Sequence, residues 1–170
     1  MQVTPLRFAL AFLALFAVLL GGFEALRGTG VERFLIESLI LEPTAWLIRL
    51  LTPAEHVQLL GRRLISMVGP SLNVTRGCEG IEMFLLLLAA ILAFPASARR
   101  RLEGLLRGAL LAYVLSITRL VLLHYTLTYY PTLWEALHGL ILPLGPILLL
   151  ALYFLHWSAM TSAASLRYAP

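Results

Sequence analysis

The 170-residue chain has no lysine and no aspartate: its 13 basic residues are all arginine and its nine acidic residues all glutamate. Without aspartate there can be no EF-hand loop, Walker B acid or intramembrane aspartyl dyad. A single cysteine, Cys78, excludes an internal disulfide and any multi-cysteine metal site. No GxSxG, HExxH, CxxC or glycine-rich nucleotide loop is present. Charge itself is scarce, at 13% of residues, against roughly a quarter in an ordinary soluble domain.

What the chain has instead is apolar surface. Hydrophobic residues make up 60%, and the mean hydropathy is +0.88. A small soluble domain buries only about two thirds of the surface its unfolded chain exposes. This composition therefore implies an integral membrane protein with the lipid bilayer as its solvent. The net charge of +4 is read as arginine that sets membrane orientation, with no nucleic-acid partner.

Four segments are apolar and long enough to suggest membrane spans, which take about 20 helical residues. They are about 6–23, 79–98, 105–127 and 139–157 of one all-α membrane domain covering 1–170. The first is longer than a signal-peptide core and lacks a small-residue cleavage site after Gly21-Gly22-Phe23, so it reads as an anchor. Pro143 and Pro146 are expected to kink the last. Arg99-Arg100-Arg101 follows the second span, whereas Thr128 to His138 contains no arginine. The positive-inside rule then puts the triple arginine in the cytoplasm and residues 24–77 outside, although that loop holds six arginines.

The 24–77 loop has its own texture. Phe34, Leu35, Leu39 and Ile40, then Trp46, Leu47, Leu50 and Leu51, recur at helical spacing among Glu37, Glu42 and Arg49. That pattern predicts short helices lying on the membrane surface. Two β-prone runs, Leu64–Val68 and Ser71–Thr75, flank Gly69-Pro70 and predict a small β-hairpin leading into Cys78.

Ionisable residues near a span are functional candidates, because each costs several kcal/mol in hydrocarbon. Arg119 lies well inside the third span, about 22 Å from its cytoplasmic start at a helical rise of 1.5 Å per residue. Cys78 opens the second span between two glycines, with Arg76 nearby; helix N-termini and cations favour the nucleophilic thiolate. His138 opens the fourth. These topology arguments bring Cys78, Arg119 and His138 to one depth near the outer face. A thiolate, an imidazole and a fixed cation are the parts of an acyl-transfer site. Glu79 and Glu82 are placed to steady Arg119 or His138. His124 reads as an interface residue, His56 and His156 as surface residues, and Tyr125, Tyr129, Tyr130 and Trp134 as an aromatic belt.

The run Arg76-Gly77-Cys78-Glu79-Gly80-Ile81-Glu82, with the apolar helix after it ending Ala93-Phe94-Pro95 and a basic loop, resembles exosortases and archaeosortases. So do Ser116-Ile117-Thr118-Arg119-Leu120-Val121 and Leu137-His138-Gly139, in the family's order, and the likeness covers about residues 64–157. Two features depart from it: fewer spans precede the cysteine, and Ser116 or Thr118 stands where an asparagine is usual. The resemblance implies a short, core-only membrane cysteine protease/transpeptidase of the bacterial inner membrane, its site facing outward. Its substrates would be secreted proteins ending in a motif, a transmembrane helix and a basic tail. Cys78 would attack the scissile carbonyl, His138 shuttle protons and Arg119 stabilise the oxyanion, with Arg76, Glu79 and Glu82 in support and no cofactor or metal. Either an amine or water would resolve the thioacyl-enzyme. Two other classes fit the same composition. One is a non-catalytic membrane subunit of surface-polysaccharide export; the other is an enzyme on lipid-linked intermediates, with arginine on phosphate.

Overall fold

The structure, a computed structural model, describes residues 4–75 and 77–167, with side chains as far as residue 162. In chain order the elements begin with α1 (Pro5–Ala25), α2 (Gly30–Arg33) and a π-helical stretch, Phe34–Leu41, that runs into α3 (Glu42–Leu51). A 3₁₀ turn, Pro53–Glu55, leads to strands β1 (Gln58–Leu60), β2 (Arg63–Ile65) and β3 (Leu72–Asn73). Then come α4 (Ile81–Ala93), α5 (Ala98–Tyr129), the short α6 (Trp134–Ala136), a π-helical turn Leu137–Ile141, and α7 (Leu142–Arg167). The chain is mostly helical, and three helical stretches are long and apolar enough to cross a membrane: Pro5–Ala25, Ala98–Tyr129 and Pro131–Ser162.

The second expected span, 79–98, is represented by α4, whose 13 residues reach only about 20 Å against a hydrocarbon core of about 30 Å. Both ends have local causes. Gly80 adopts φ 85°, outside the right-handed helical region, and Pro95 disfavours helix at Phe94. The basic stretch expected as a loop is the first turn of α5. Ser97 caps it, its Oγ accepting from the Arg100 N–H at 3.4 Å, as serine does at helix starts. Arg101 folds back to donate to the Phe94 carbonyl at 3.1 Å.

The chain divides into two compact units. One comprises the segments up to Ala25, Ile81–Ala112 and from Ile147 onward. Its α1 buries only Phe23, while Leu6, Leu10, Leu13 and Val18 are each at least 58% exposed, a surface suited to lipid. Phe94 is met edge-on by Phe8 and Phe154, with ring centroids at 6.3 and 6.0 Å, and by Trp157 at 5.5 Å. Gly104 and Gly108, one helical turn apart on α5, let α4 and α7 approach. A Cβ at Gly108 would stand 2.7 Å from Leu87 and 3.0 Å from Tyr153, and one at Gly104 would strike the Trp157 ring at 2.5 Å. Small residues four apart serve close packing in lipid, where apolar burial gives helices little reason to associate.

The second unit holds Leu26–Gly80 and Tyr113–Pro146. Thr29 caps α2, and the Glu32 carboxylate reaches back to the Gly28 N–H at 2.6 Å, a close relative of the capping box. Along the helical run to Leu51, Ile36, Ile40, Leu41, Ala45 and Ile48 are buried, whereas Phe34, Leu39, Trp46, Leu50 and Leu51 are exposed, so of the apolar positions read from the sequence only Ile40 is in the core. The sheet has the order β1-β2-β3, antiparallel throughout. Its β2–β3 pair, Arg63↔Asn73 and Leu64↔Leu72, is a shorter form of the expected hairpin. The β1–β2 hairpin was not legible beforehand: its two-residue turn is Gly61-Arg62, since Leu60 pairs with Arg63. Gly61 has φ 58° and Arg62 is not left-handed, the pattern of a II′ turn, whose twist matches that of the strands.

Candidate active site

Cys78 is buried and sits in a turn between Thr75 and α4, its N–H donating to the Thr75 carbonyl at 3.1 Å. Gly77 and Gly80 bracket it with φ 79° and 85°, conformations that strain any residue with a Cβ. That pair of glycines makes the turn tight and ends it directly before the helix, so Cys78 stands three residues ahead of α4 and not on its first turn. The Thr75 hydroxyl lies 3.8 Å from the Cys78 sulfur.

Arg119, only 6% exposed, reaches this turn from α5. Its Nη1 donates to the Gly77 carbonyl at 2.9 Å, so the guanidinium is anchored to the residue before the cysteine. On the other flank, Glu79 is bonded by Arg62 from the β1–β2 turn, and Arg62 also lies 3.6 Å from Glu32. Glu79 thus takes part in the site through Arg62. Glu82 is on the first turn of α4, in the other unit, and holds no ion pair among the described residues. Arg76 lies outside the described residues.

His138 belongs to the same unit as Cys78 and Arg119. It occupies the π-helical turn before α7 and stacks on Trp134, rings 4.7 Å apart and 6° from parallel. Its Nδ1 is buried without a hydrogen-bond partner among the described residues. No hydrogen bond joins His138 to Cys78 or Arg119 among those residues. Arg119 is therefore tied directly to the Cys78 turn, and His138 is stacked on Trp134 within its own helical segment.

A second polar cluster was not foreseen. His124, read from sequence as an interface residue, is fully buried, and its Nε2 lies 2.6 Å from Glu55 Oε2. The Tyr129 hydroxyl donates to Glu55 Oε1 at 2.7 Å, and Ser66 Oγ donates to Oε2 at 3.3 Å. Nearby, the Tyr125 and Thr52 hydroxyls are 3.0 Å apart. Burial pushes the Glu55 carboxyl up, but the bonds from His124 and Tyr129, with the attraction of His124, outweigh it and hold the group below the ordinary carboxylate range. Two members of the expected aromatic belt, Tyr125 and Tyr129, thus turn polar ends to protein. The only signal for this in the sequence is that Glu55 and His124 are ionisable; they are 69 residues apart.

A surface groove of about 860 Å³, lined by residues including Trp46, Arg49 and Gln58, contains none of Cys78, Arg119 and His138. No metal-binding cluster of histidine, cysteine and glutamate occurs among the described residues. No protein-family model, no curated protein and no solved structure matches the chain.

Proposed function

We propose that this protein is a membrane-embedded cysteine protease/transpeptidase of the exosortase kind, cleaving C-terminal sorting tails from secreted proteins. One observation carries the reading: an arginine buried in an apolar helix is spent on the carbonyl beside the chain's only cysteine. A buried guanidinium is costly unless bonded, and beside a nucleophile it supplies a fixed cation where negative charge develops. In the proposed cycle the Cys78 sulfur attacks the scissile carbonyl, and Arg119 stabilises the tetrahedral oxyanion. His138 takes the thiol proton and returns it to the departing amine, so the tail leaves with a neutral N-terminus. An amine or water then attacks the thioacyl-enzyme, a proton returns to the thiol, and the product is an amide or an acid. The topology that suits this chemistry has four membrane segments, with α4 as the short one. The Arg99–Arg101 end of α5 is cytoplasmic, and the site faces outward from a bacterial inner membrane.

The test is the mass of a co-expressed secreted reporter ending in a motif, an apolar helix and a basic tail. Wild type should truncate it. Cys78→Ala should leave it full-length while changing folding stability by no more than about 1–2 kcal/mol. Truncation by the Ala variant at wild-type expression level would end the peptidase reading and leave a scaffold or lipid-phosphate role.

A further inference from the structure

The Glu55–His124 cluster has no part in the chemistry proposed above, and its burial calls for a reason. Replacing a buried ion pair by apolar groups of the same shape is often neutral or even stabilising, so stability alone explains such a pair poorly. Directional bonds between buried polar groups can hold one register against others. The question is therefore what this pair holds in place.

Glu55 and Ser66 flank the β1–β2 hairpin at its base, and the Met67 N–H donates to the Glu55 carbonyl at 3.1 Å, closing that base. The base rests on the last turns of α5. Glu55 bonds to His124 and Tyr129 there, and a Cβ at Gly69 would come within 2.7 Å of Thr128. At the opposite end, the hairpin turn is braced by the Val74 N–H, which donates to the Arg62 carbonyl at 2.9 Å. The Arg62 side chain bonds to Glu79, the residue after Cys78. Arg119, five residues before His124 on the same helix, holds Gly77, the residue before Cys78. Five residues amount to about 7.5 Å of rise and 140° of rotation, so α5 grips this segment on two faces. The Cys78 turn is thus held directly by α5 on one flank and through the hairpin on the other.

We propose that Glu55, His124 and Tyr129 form a positioning latch that fixes the β1–β2 hairpin on α5 and, through Arg62 and Glu79, sets where the Cys78 sulfur stands relative to Arg119. Its catalytic consequence rests on Cys78 being the nucleophile; its geometric consequence does not. Because Cys78 is the only cysteine, alkylation of the full-length protein in nanodiscs by N-ethylmaleimide reports on this one position by intact mass.

Wild type, with its sulfur buried, should label slowly. His124→Leu should label at least about tenfold faster, because local opening no longer works against the latch. His124→Gln keeps a donor for Glu55 and should return to within about threefold of wild type. The apolar pair Glu55→Met/His124→Leu separates positioning from bulk stability. It should keep the wild-type thermal midpoint yet label as fast as His124→Leu, and it should lower the kcat of tail cleavage with KM unchanged. His156→Ala, at an exposed position on α7, is the control and should not differ from wild type.

Wild-type labelling in the folded apolar pair would overturn the latch. If neither that pair nor His124→Leu folds, Tyr129→Phe and Ser66→Ala decide, and wild-type labelling in both would overturn it equally. The reporter assay keeps the two proposals apart. Faster labelling in latch variants of a protein that cleaves no reporter supports the latch and sinks the peptidase. Cleavage by wild type with unchanged labelling in the variants does the reverse.

Discussion

The unit built on α1, α4 and the start of α5 and the unit that carries Cys78 are made of the same apolar alphabet but held by different forces. In the first, the contacts are rings on rings and helices on glycine. Its links between helices include side chains donating to backbone carbonyls, as Tyr153 to Gly104 at 2.7 Å and Trp157 to Arg100 at 3.3 Å. Ion pairs there join Arg99 and Arg100 to Glu103, where Arg99 is 89% and Arg100 45% exposed, a setting in which a pair contributes little. In the second unit lies every buried glutamate, arginine and histidine among the described residues: Glu32, Glu55, Glu79, Arg119 and His124. Helix packing in lipid needs no buried charge, so the second unit, which concentrates the buried ionisable residues, is where the proposed chemistry is to be tested.

The sharpest way to break this contrast is at Arg119. Arg119→Ala should abolish reporter processing, and Arg119→Lys should fall by about 10²–10³-fold, the loss typical of a missing oxyanion donor, because an ammonium lacks the planar fork. Both proteins should still insert, as judged by membrane fractionation. Lys at near-wild-type rate would mean that the residue supplies charge alone.

The corresponding change in the first unit is Gly108→Leu, which forces side-chain atoms against Leu87 and Tyr153. Overpacking of this kind should lower stability by about 1–3 kcal/mol, read as a lower thermal midpoint. Cys78 labelling below that midpoint should not change. Faster labelling there would show that the two units do not separate as their forces suggest.

The smallest expected effect is on acid stability. Glu55 is held below the ordinary carboxylate range by His124 and Tyr129, so its folded state binds a proton less readily than its unfolded state. Its contribution is full above the unfolded value and is lost as pH falls through the lower folded value. A midpoint-against-pH curve for Glu55→Gln should therefore lie closest to wild type at the acid end and diverge from it toward neutral pH. A constant offset at every pH would remove Glu55 from the acid response.

How much of this was readable depended on the range of each interaction. Pro5–Ala25 and the apolar body of α5 were legible because hydropathy acts along the chain. The end of α4 was missed because a left-handed Gly80 and Pro95 overrule an apolar run that would otherwise read on. Gln58–Leu60 is too short to announce a strand, and it becomes one because Gly61 turns the chain back onto Arg63–Ile65. Ser97 as a cap was present in the sequence and was outweighed there by the arginines after it.

The sequence by itself determined that this chain has stretches apolar and long enough to cross a membrane, which residues are ionisable, and that its one thiol lies between glycines. Those properties follow from composition and nearest neighbours. Only the tertiary structure decided that Arg119 bonds to Gly77, that Arg62 joins Glu32 to Glu79, and that His124 is a buried partner of Glu55. Residues 42 and 69 positions apart meet only after helices and hairpin have packed. In an apolar interior each buried charge must find a bonded partner, and which one it finds depends on packing that nearest neighbours do not encode.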